Sequence, residues 1–259
     1  MCIRPARNDK LWPLHAVFRK WLLKWTSIVE IQQHYLLASV LSDQSTILDL
    51  GANVGGFSDG IIARFGCHVI AIEPEQKNFK AISDHPRLRK LRVAVGGTCG
   101  TARIRISSDR TGHRLDCSSK VTTISEQVVE THTFPSLLFL TNLKQVDLMK
   151  LDVEGCEWDW LDTISDEQLR SIGQLTVEFH DFLPEYRENN RTWKNYQRLI
   201  RLGFHCIEDP YFHSYNVLFV NRSLKLSRLS DRILVPLTSH LLRLVWKLQR
   251  LQQHLFQSS

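Results

Sequence analysis

The sequence predicts an α/β protein built on a mainly parallel sheet with helices on both faces. The first observation is that short apolar segments alternate with amphipathic ones from residue 46 onward, which is typical of strand–helix–strand units. The second is a glycine-rich turn directly after the first apolar segment. The third is the composition: 259 residues, 43% hydrophobic and 23% charged, fit one globular domain with attached segments and argue against a disordered chain.

Short apolar segments are predicted as strands, and helices are predicted between them. The strands are predicted at Thr46–Leu50, His68–Ile72, Leu91–Val95, Ala102–Ser107, Val146–Leu151 and Leu175–His180, with a final antiparallel pair at Phe204–Glu208 and Asn216–Asn221. The helices are predicted at Phe57–Phe65, Gln76–Ser83, Phe134–Thr141, Glu157–Ile164 and Trp193–Arg201. The polar residues 108–120 are predicted to form a loop.

Both ends of the chain are predicted to be amphipathic helices outside this domain. Apolar residues recur every three or four positions over residues 11–41. Leucines at alternating spacings of four and three form a seam near the other end: Leu237, Leu241, Leu244, Leu248, Leu251 and Leu255. We therefore divide the chain into an N-terminal amphipathic helical segment (1–41), a central domain (42–221) and a basic leucine-rich helical tail (222–259).

The net charge of +6 is unevenly distributed. Residues 1–30 contain six basic and two acidic side chains, and residues 222–259 contain seven and one, whereas residues 31–221 contain 20 and 24. An acidic central domain argues against a nucleic-acid partner. For the basic ends three roles stay open: packing onto the chain's own surface, homo-oligomer formation through the leucine seam, and peripheral contact with a membrane surface.

The sequence also predicts a location for the chain. It contains no apolar stretch of about 18 residues, the length that a transmembrane helix needs. Arg19, Lys20 and Lys24 interrupt the apolar N-terminal run, so no signal peptide is predicted. We expect a cytoplasmic protein, with contact to the membrane surface as the open alternative.

The glycine-rich turn carries the clearest functional signal. Gly51 and Gly55 lie between a predicted strand and a predicted helix, where the backbone can approach a ligand closely. Glu73 follows 22 residues after Gly51, at the end of the second strand, and an acid at that place can accept both hydroxyls of a ribose. The turn therefore predicts a ligand that contains a ribonucleoside.

Asp49 and Asn53 favour one such ligand over another. Asn53 stands where a dinucleotide-binding turn has its second glycine, and Asp49 precedes Gly51 by two residues. A carboxylate there would repel a pyrophosphate, but it would suit the α-ammonium group of S-adenosylmethionine. We therefore expect S-adenosylmethionine rather than NAD.

Four motifs in order resemble the FkbM family of S-adenosylmethionine-dependent methyltransferases, over about residues 40–221. They are Asp49–Gly56, Glu73-Pro74 with Asn78, Ala94–Gly96, and Val146–Glu157. The resemblance implies a class I methyltransferase Rossmann-like sheet with a reversed terminal strand. It also implies methyl transfer, commonly to a hydroxyl of a sugar or another secondary metabolite. By the same resemblance Asp49, Gly51, Asn53 and Gly55 would line the methionine part of the cofactor, and Glu73 its ribose.

Polar residues end two predicted strands that we expect to be neighbours. Asp152 and Glu154 follow Val146–Leu151, and Glu178 and His180 end the next strand. Since ligands bind at the carboxyl ends of parallel strands, we predict that these residues converge and that His180 or Asp152 is the general base. Structural roles stay open. A Mg²⁺ or Mn²⁺ ion would also suit such carboxylates, but no spacing is diagnostic, so no metal ligand is assigned.

The sequence therefore predicts a methyltransferase that acts on a hydroxyl of a small-molecule, glycan or lipid acceptor. Two alternatives stay open. One is an NAD-dependent oxidoreductase, against which Asp49 argues. The other is a non-catalytic adapter that keeps the fold and associates through its leucine seam.

Overall fold

The computed structural model describes residue 21 and residues 23–107, 114–115, 123–181, 190–208 and 216–241. Its strands are β1 (Ile28–Ile31), β2 (His34–Leu37), β3 (Thr46–Leu50), β4 (His68–Ile72), β5 (Leu88–Leu91), β6 (Ala94–Val95), β7 (Gly100–Ser107), β8 (Arg114–Leu115), β9 (Thr123–His132), β10 (Val146–Leu151), β11 (Ile172–Glu178), β12 (Phe204–Glu208) and β13 (Asn216–Asn221). Its helices are α1 (Gly56–Phe65), α2 (Gln76–Ala81), α3 (Phe134–Thr141), α4 (Glu157–Asp162), α5 (Asp166–Ser171) and α6 (Arg191–Arg201). Residues 229–241 are also helical.

The main sheet has the order β12-β13-β11-β10-β3-β4-β5 in the described part of the chain. Strands β5, β4, β3, β10 and β11 are parallel, and β13 is antiparallel to both of its neighbours. Helices α3 to α6 pack on one face, and α1 packs on the other. The predicted α/β fold, with the reversed strand that the methyltransferase resemblance implies, is therefore confirmed.

The central strands β3, β10 and β11 lie between the two helical layers. Their apolar side chains are buried on both faces of the sheet, as expected of parallel strands. Predicted and observed bounds agree for β3, β4, β10, β12, β13 and α3. The sheet therefore holds the carboxyl ends of β3, β10 and β11 side by side.

A smaller sheet of order β6-β9-β7-β8 corrects two predictions. The single strand predicted at Leu91–Val95 is wrong, because β5 ends at Leu91 and pairs with β4, whereas β6 pairs with β9. The sequence analysis also missed β9, whose ten residues pair along β7. Part of the predicted loop at 108–120 is strand β8, and the rest lies outside the described residues.

The predicted N-terminal helix is wrong over residues 28–37, which form the hairpin β1–β2. Gln32 and Gln33 adopt left-handed conformations with φ of 47° and 66°, as a two-residue hairpin turn of type I′ requires. Ile28, Tyr35 and Leu37 of the hairpin form one buried cluster with apolar residues of β12 and β13. Their spacing satisfied a helical pattern by coincidence, and the β-branched and aromatic residues were the better guide. Residues 1–20 and 22 lie outside the described residues.

The second end also contacts the domain where it is described. The Asp231 carboxylate accepts hydrogen bonds from the Ser27 N–H and from the hydroxyls of Ser27 and Ser39. Val235 packs against the hairpin. Of the predicted leucine seam, Leu237 and Leu241 are described and exposed; the other four lie outside the described residues. The three-part division of the chain stays a prediction.

Among the helices in the described part of the chain, none is both long enough and apolar enough to cross a bilayer.

Candidate active site

The turn between β3 and α1 has the tight geometry that its glycines predict. Gly51, Asn53 and Gly55 have φ values of 80°, 51° and 90°, a region that glycine adopts without strain. A Cβ atom on Gly51 would lie 1.8 Å from the Asp152 carbonyl oxygen. The turn is therefore in direct contact with the end of β10, and only glycine fits at position 51.

Asp49 lies beneath this turn and is completely buried. Its Oδ2 accepts a hydrogen bond of 2.6 Å from the Ser58 hydroxyl of α1. Its Oδ1 lies 3.5 Å from the Nζ of Lys150, its register partner in β10. Asp49 therefore supports the turn from below, and its charge is balanced by Lys150.

Lys150 links three oxygens at this edge of the sheet. Its Nζ donates a hydrogen bond of 2.6 Å to the Gly51 carbonyl and lies 3.4 Å from Asp152 Oδ2. Burial lowers the pKa of Lys150, but the charges of Asp152 and Asp49 outweigh this and raise it above its usual value. Lys150 is therefore a fixed cation between β3 and β10.

Glu73, at the end of β4, faces the same turn. Its two carboxylate oxygens accept hydrogen bonds from the N–H groups of Asn53 and Glu75, at 2.8 and 2.9 Å. Burial raises the pKa of Glu73 to about 7, although both hydrogen bonds act in the opposite direction. Each oxygen keeps a second lone pair for a ligand hydroxyl.

Asp152 and Glu178 lie side by side at the ends of β10 and β11, as the register of the preceding residues requires. His34, on the hairpin, approaches both of them. Its Nδ1 lies 3.2 Å from the Thr176 hydroxyl and its Nε2 lies 3.8 Å from Asp152 Oδ2. Burial lowers the pKa of His34, so it is neutral at pH 7.

His180 is held between two carboxylates. Its Nδ1 lies 2.8 Å from Glu157 Oε1, and its Nε2 lies 3.2 Å from Glu154 Oε2. A carboxylate only accepts hydrogen bonds, so both contacts are satisfied when both ring nitrogens carry hydrogen. Burial lowers the pKa of His180, but the charge of Glu157 and the bond to Glu154 hold it well above its usual value. His180 is therefore an imidazolium at neutral pH.

The Glu157 carboxylate stabilises the loop after β10 through backbone hydrogen bonds. Its Oε1 also accepts hydrogen bonds from the N–H groups of Val153 and Gly155, at 3.2 and 2.9 Å. Between these residues Glu154 has a φ of 55°, which is costly for a residue with a side chain and is typical of functional loops. The loop therefore presents the Glu154 carboxylate to His180 at some cost in backbone strain.

The charges of the cluster shift the pKa values of Asp152 and Glu178 in opposite directions. Burial raises the pKa of Asp152, but the neighbouring Lys150 cation outweighs it, and the pKa lies below its usual value. Burial also raises the pKa of Glu178, and the negative charge of Asp152 raises it further, to about 7. At neutral pH Asp152 is a weak base, whereas Glu178 is poised to gain or lose a proton.

Two overlapping sets of side chains have a geometry that could hold a divalent cation. One is His34, Asp152 and Glu178, and the other is Asp152, Glu154 and His180; in each, the ligand atoms lie within 4.8 Å of one another. The second set would require His180 to lose a proton that two carboxylates stabilise. The first set is the better candidate for a metal, although the Lys150 cation lies next to the shared Asp152.

Of the sequence-predicted residues, the structure brings Asp152, Glu154, Glu178 and His180 into one cluster beside Gly51. His34 was not predicted as a site residue, because residues 11–41 were predicted as a helix. Neither Lys150 nor Glu157 was predicted as a site residue. A signal existed for Lys150, since a charge in a buried strand requires partners; none existed for His34.

Comparison with known proteins identifies related sequences and folds. The model of the family described as "Methyltransferase FkbM domain" matches residues 49–206. The protein named Methyltransferase 1 from Beauveria bassiana (strain ARSEF 2860) is 26% identical over 164 residues, which cover 54% of this chain and 66% of the relative. The chain therefore spans just under two thirds of that relative's length.

Two solved structures align with parts of this chain. The fibrillarin pre-rRNA processing protein of Methanococcus jannaschii aligns with 74% of this chain and 80% of its own, at 12% identity and a TM-score of 0.40. The precorrin-6y C5,15-methyltransferase of Geobacter metallireducens GS-15 aligns with 70% of this chain and 81% of its own, at 11% identity and a TM-score of 0.37.

Proposed function

Because the chain belongs to the FkbM methyltransferase family, we propose that it transfers a methyl group from S-adenosylmethionine to a hydroxyl oxygen. The observation that supports this most strongly is the contact between Gly51 and the Asp152 carbonyl. It joins the cofactor-type turn to the carboxylate cluster, so that a ligand on the turn would lie beside groups able to accept a proton.

The residues of the turn fit the proposed cofactor. Glycine at positions 51 and 55 leaves the turn without a side chain there, so that the backbone can approach a ligand closely. The lone pairs that remain on Glu73 suit the ribose hydroxyls. When bound, S-adenosylmethionine supplies a methyl group on a positively charged sulfur, and carboxylates at this edge of the sheet would favour that charge.

We assign the general base to Glu178 rather than to the predicted His180. A base near neutral pH works best when its own pKa is close to the working pH, and the Glu178 pKa of about 7 meets this condition. His180 already carries both of its protons, and Asp152 is stabilised as a carboxylate by Lys150. Glu178 would take the proton of the acceptor hydroxyl.

The other charged groups then have positioning roles. His180 fixes Glu154 and Glu157 through its two ring nitrogens. Asp152 keeps negative charge next to Glu178 and so maintains its raised pKa. Lys150 ties the Gly51 carbonyl to Asp152. In this arrangement Asp152, Glu154 and His180 support the base instead of acting as one.

The charge of the cluster indicates the chemical class of the methyl acceptor. In the described cluster the carboxyl groups of Asp49, Asp152, Glu154, Glu157 and Glu178 are neighbours of two cations, Lys150 and His180. An excess of negative charge disfavours an anionic acceptor at this site. We therefore propose a neutral or cationic hydroxyl compound, such as a sugar, a small metabolite or the polar part of a lipid.

The test is a calorimetric titration of the full chain with S-adenosylhomocysteine, the product form of the cofactor. The wild-type chain should bind it in a 1:1 complex. The variant Glu73→Ala should bind at least about tenfold more weakly, since it loses charged hydrogen bonds to the ribose. The matched control is Glu167→Ala, which removes an exposed carboxylate of α5 and should leave the affinity unchanged.

Titration with NAD distinguishes the alternative function. Binding of NAD without binding of S-adenosylhomocysteine would contradict the proposal. Binding that is unaffected by Glu73→Ala would contradict the ribose assignment and leave the cofactor assignment intact.

A further inference from the structure

One surface of the molecule has a composition that the proposed function does not explain. Helical residues 229–241 bury one face, which includes Asp231, Val235 and Ser239, against the domain. The opposite face is apolar and exposed: Leu229 is 69% exposed, Ile233 55%, Leu237 44% and Leu241 42%. A helix that rests on a domain usually exposes polar residues, so this exposed apolar stripe needs a partner.

The helix is fixed in this orientation by its buried face. Asp231 accepts hydrogen bonds of 2.6 to 2.8 Å from Ser27 and Ser39. Ser239 accepts a hydrogen bond of 2.9 Å from the N–H of Cys206 in β12. The helix therefore cannot rotate to bury its leucines without breaking these contacts, and the apolar stripe is a stable feature of the surface.

Tryptophan and basic residues are also exposed in the segments that adjoin this helix. Trp21 and Trp25, in the helical residues just before Ser27, are 38% and 52% exposed. The exposed basic residues of this region are Lys24, Arg222, Lys225, Arg228 and Arg232. Within described residues 21–25 and 222–241 the acidic side chain is Asp231, which is buried and hydrogen-bonded. Where they are exposed, the helix and the segments that adjoin it are therefore apolar, aromatic and positively charged.

We propose that this surface docks onto an anionic lipid bilayer, with the apolar stripe in the headgroup–acyl boundary and the basic residues among the lipid phosphates. Exposed leucines, interfacial tryptophans and flanking cations are the combination that binds such surfaces. The charge selects this occupant over a second copy of the chain, because a twofold contact would bring the five cations of each copy together. The proposal does not depend on the proposed enzymatic function.

The experiment is co-sedimentation of the full chain with vesicles of phosphatidylcholine alone and of phosphatidylcholine mixed with phosphatidylserine. We expect binding to the mixed vesicles that weakens as salt is added. We expect at least about tenfold weaker binding to phosphatidylcholine alone, since the cations then lose their partners. Failure to bind the mixed vesicles at low salt would overturn the proposal.

Two double variants test the two components of the surface. Lys225→Gln with Arg228→Gln should weaken binding about thirtyfold, because each cation near the surface contributes about 1 kcal/mol and 1.4 kcal/mol is a factor of ten. Leu229→Asn with Ile233→Asn should weaken it at least about tenfold, because exposed apolar groups no longer enter the bilayer. All four side chains are exposed, so thermal unfolding should remain at the wild-type temperature.

Matched controls lie on other surfaces. Lys77→Gln with Lys80→Gln removes two exposed cations of α2, and Phe139→Asn removes a side chain of α3 that is 91% exposed. Both should bind mixed vesicles like the wild type. Equal loss in variants and controls would overturn the proposal. So would a wild-type dimer in sedimentation equilibrium that Leu229→Asn with Ile233→Asn dissociates, because a second copy would then occupy the surface.

Discussion

Glu178 shows how the surroundings of one side chain set its chemistry. Its carboxyl group is largely buried and lies next to Asp152, and together these raise its pKa to about 7. The usual pKa is 4.5, so the folded state holds a proton that the unfolded chain releases between these pH values. The free energy of unfolding therefore falls as the pH rises through this range. This loss is largely complete by about pH 7, above which the carboxylate form that the proposed base requires predominates.

The variant Glu178→Gln should separate stability from activity. Above pH 7 its free energy of unfolding should exceed that of the wild type, since no buried charge forms. Its turnover should fall by roughly 10²–10⁴, the usual contribution of a general base. Denaturant unfolding at pH 5 and pH 8 and steady-state methyl transfer provide the two readouts. Wild-type turnover that does not rise with pH around 7 would contradict the base assignment.

Gly51 offers a second test at the scale of a residue. Gly51→Ala adds a Cβ atom 1.8 Å from the Asp152 carbonyl oxygen, so the turn and the end of β10 must separate. We expect loss of S-adenosylhomocysteine binding and a loss of stability of about 3 kcal/mol or more. Urea unfolding measures the stability.

The matched control is Gly203→Ala. Gly203 is also left-handed, with a φ of 100°, but nothing lies within 4 Å of an added Cβ atom. It should cost only the conformational penalty of about 1–2 kcal/mol. Equal losses for the two variants would mean that contact with Asp152 does not explain the need for glycine at position 51.

Contacts within one βαβ unit follow from the sequence more readily than contacts between distant segments. The sequence predicts that Asp49, Gly51 and Glu73 lie near one turn, because the turn and the strand end belong to one βαβ unit, and the hydrogen bond from the Asn53 N–H to Glu73 agrees with that placement; their roles toward a cofactor stay predictions. The protonated state of His180 depends on Glu157, which reaches it from the start of α4. No sequence spacing fixes that contact, so the sequence alone favoured His180 as the base, a role that we propose for Glu178 instead.

Strand β10 connects the turn to the cluster, and Lys150 carries that connection. Lys150→Met should cost about 3–5 kcal/mol at pH 7, because Asp49 and Asp152 are then left as neighbouring negative charges without their cation. Lowering the pH toward 4 should recover part of this loss, as the carboxylates become protonated. Lys144→Met, at an exposed lysine before β10, should have little effect. A small cost at Lys150 would contradict its role as a structural cation.

The hairpin β1–β2 joins the helical residues 229–241 to the site. Asp231→Asn should lower the free energy of unfolding by about 2–4 kcal/mol, because an amide cannot accept all the hydrogen bonds from Ser27 and Ser39. Hydrogen exchange of the β1 and β2 amides should become faster in the same variant. Asp84→Asn breaks an exposed ion pair with Lys90 and should cost less than about 1 kcal/mol. Unchanged hairpin exchange would contradict this coupling.

Elements with strong periodicity were predictable, and those that depend on pairing were not. Strands β4 and β10 and helix α3 agree with prediction residue by residue, because their apolar runs end at clear turn or capping residues. Strand β9 is half polar and is stabilised by its pairing with β7. The apolar spacing predicted a helix over the hairpin residues, and only the left-handed φ values of Gln32 and Gln33 reveal the turn.

At the scale of the whole molecule, acidic and basic side chains are concentrated in different parts of the chain. Residues 31–221 carry 20 basic and 24 acidic side chains and contain the candidate site, whereas residues 222–259 carry seven basic and one acidic. In the proposals above, the acidic part favours a positively charged cofactor and the basic end favours an anionic bilayer. The sequence predicted this separation, but it gave no indication that Asp231 and Val235 attach the basic end to the domain.

Hydrogen exchange of the full chain with and without S-adenosylhomocysteine locates the proposed cofactor site. The ligand should slow exchange in segments that cover the turn after β3 and the end of β4 around Glu73. Exchange in α5 and in residues 222–241, which contain no predicted cofactor-binding residue, should be unchanged. Binding without protection of the turn, or the absence of binding to the folded chain, would contradict the proposed cofactor site.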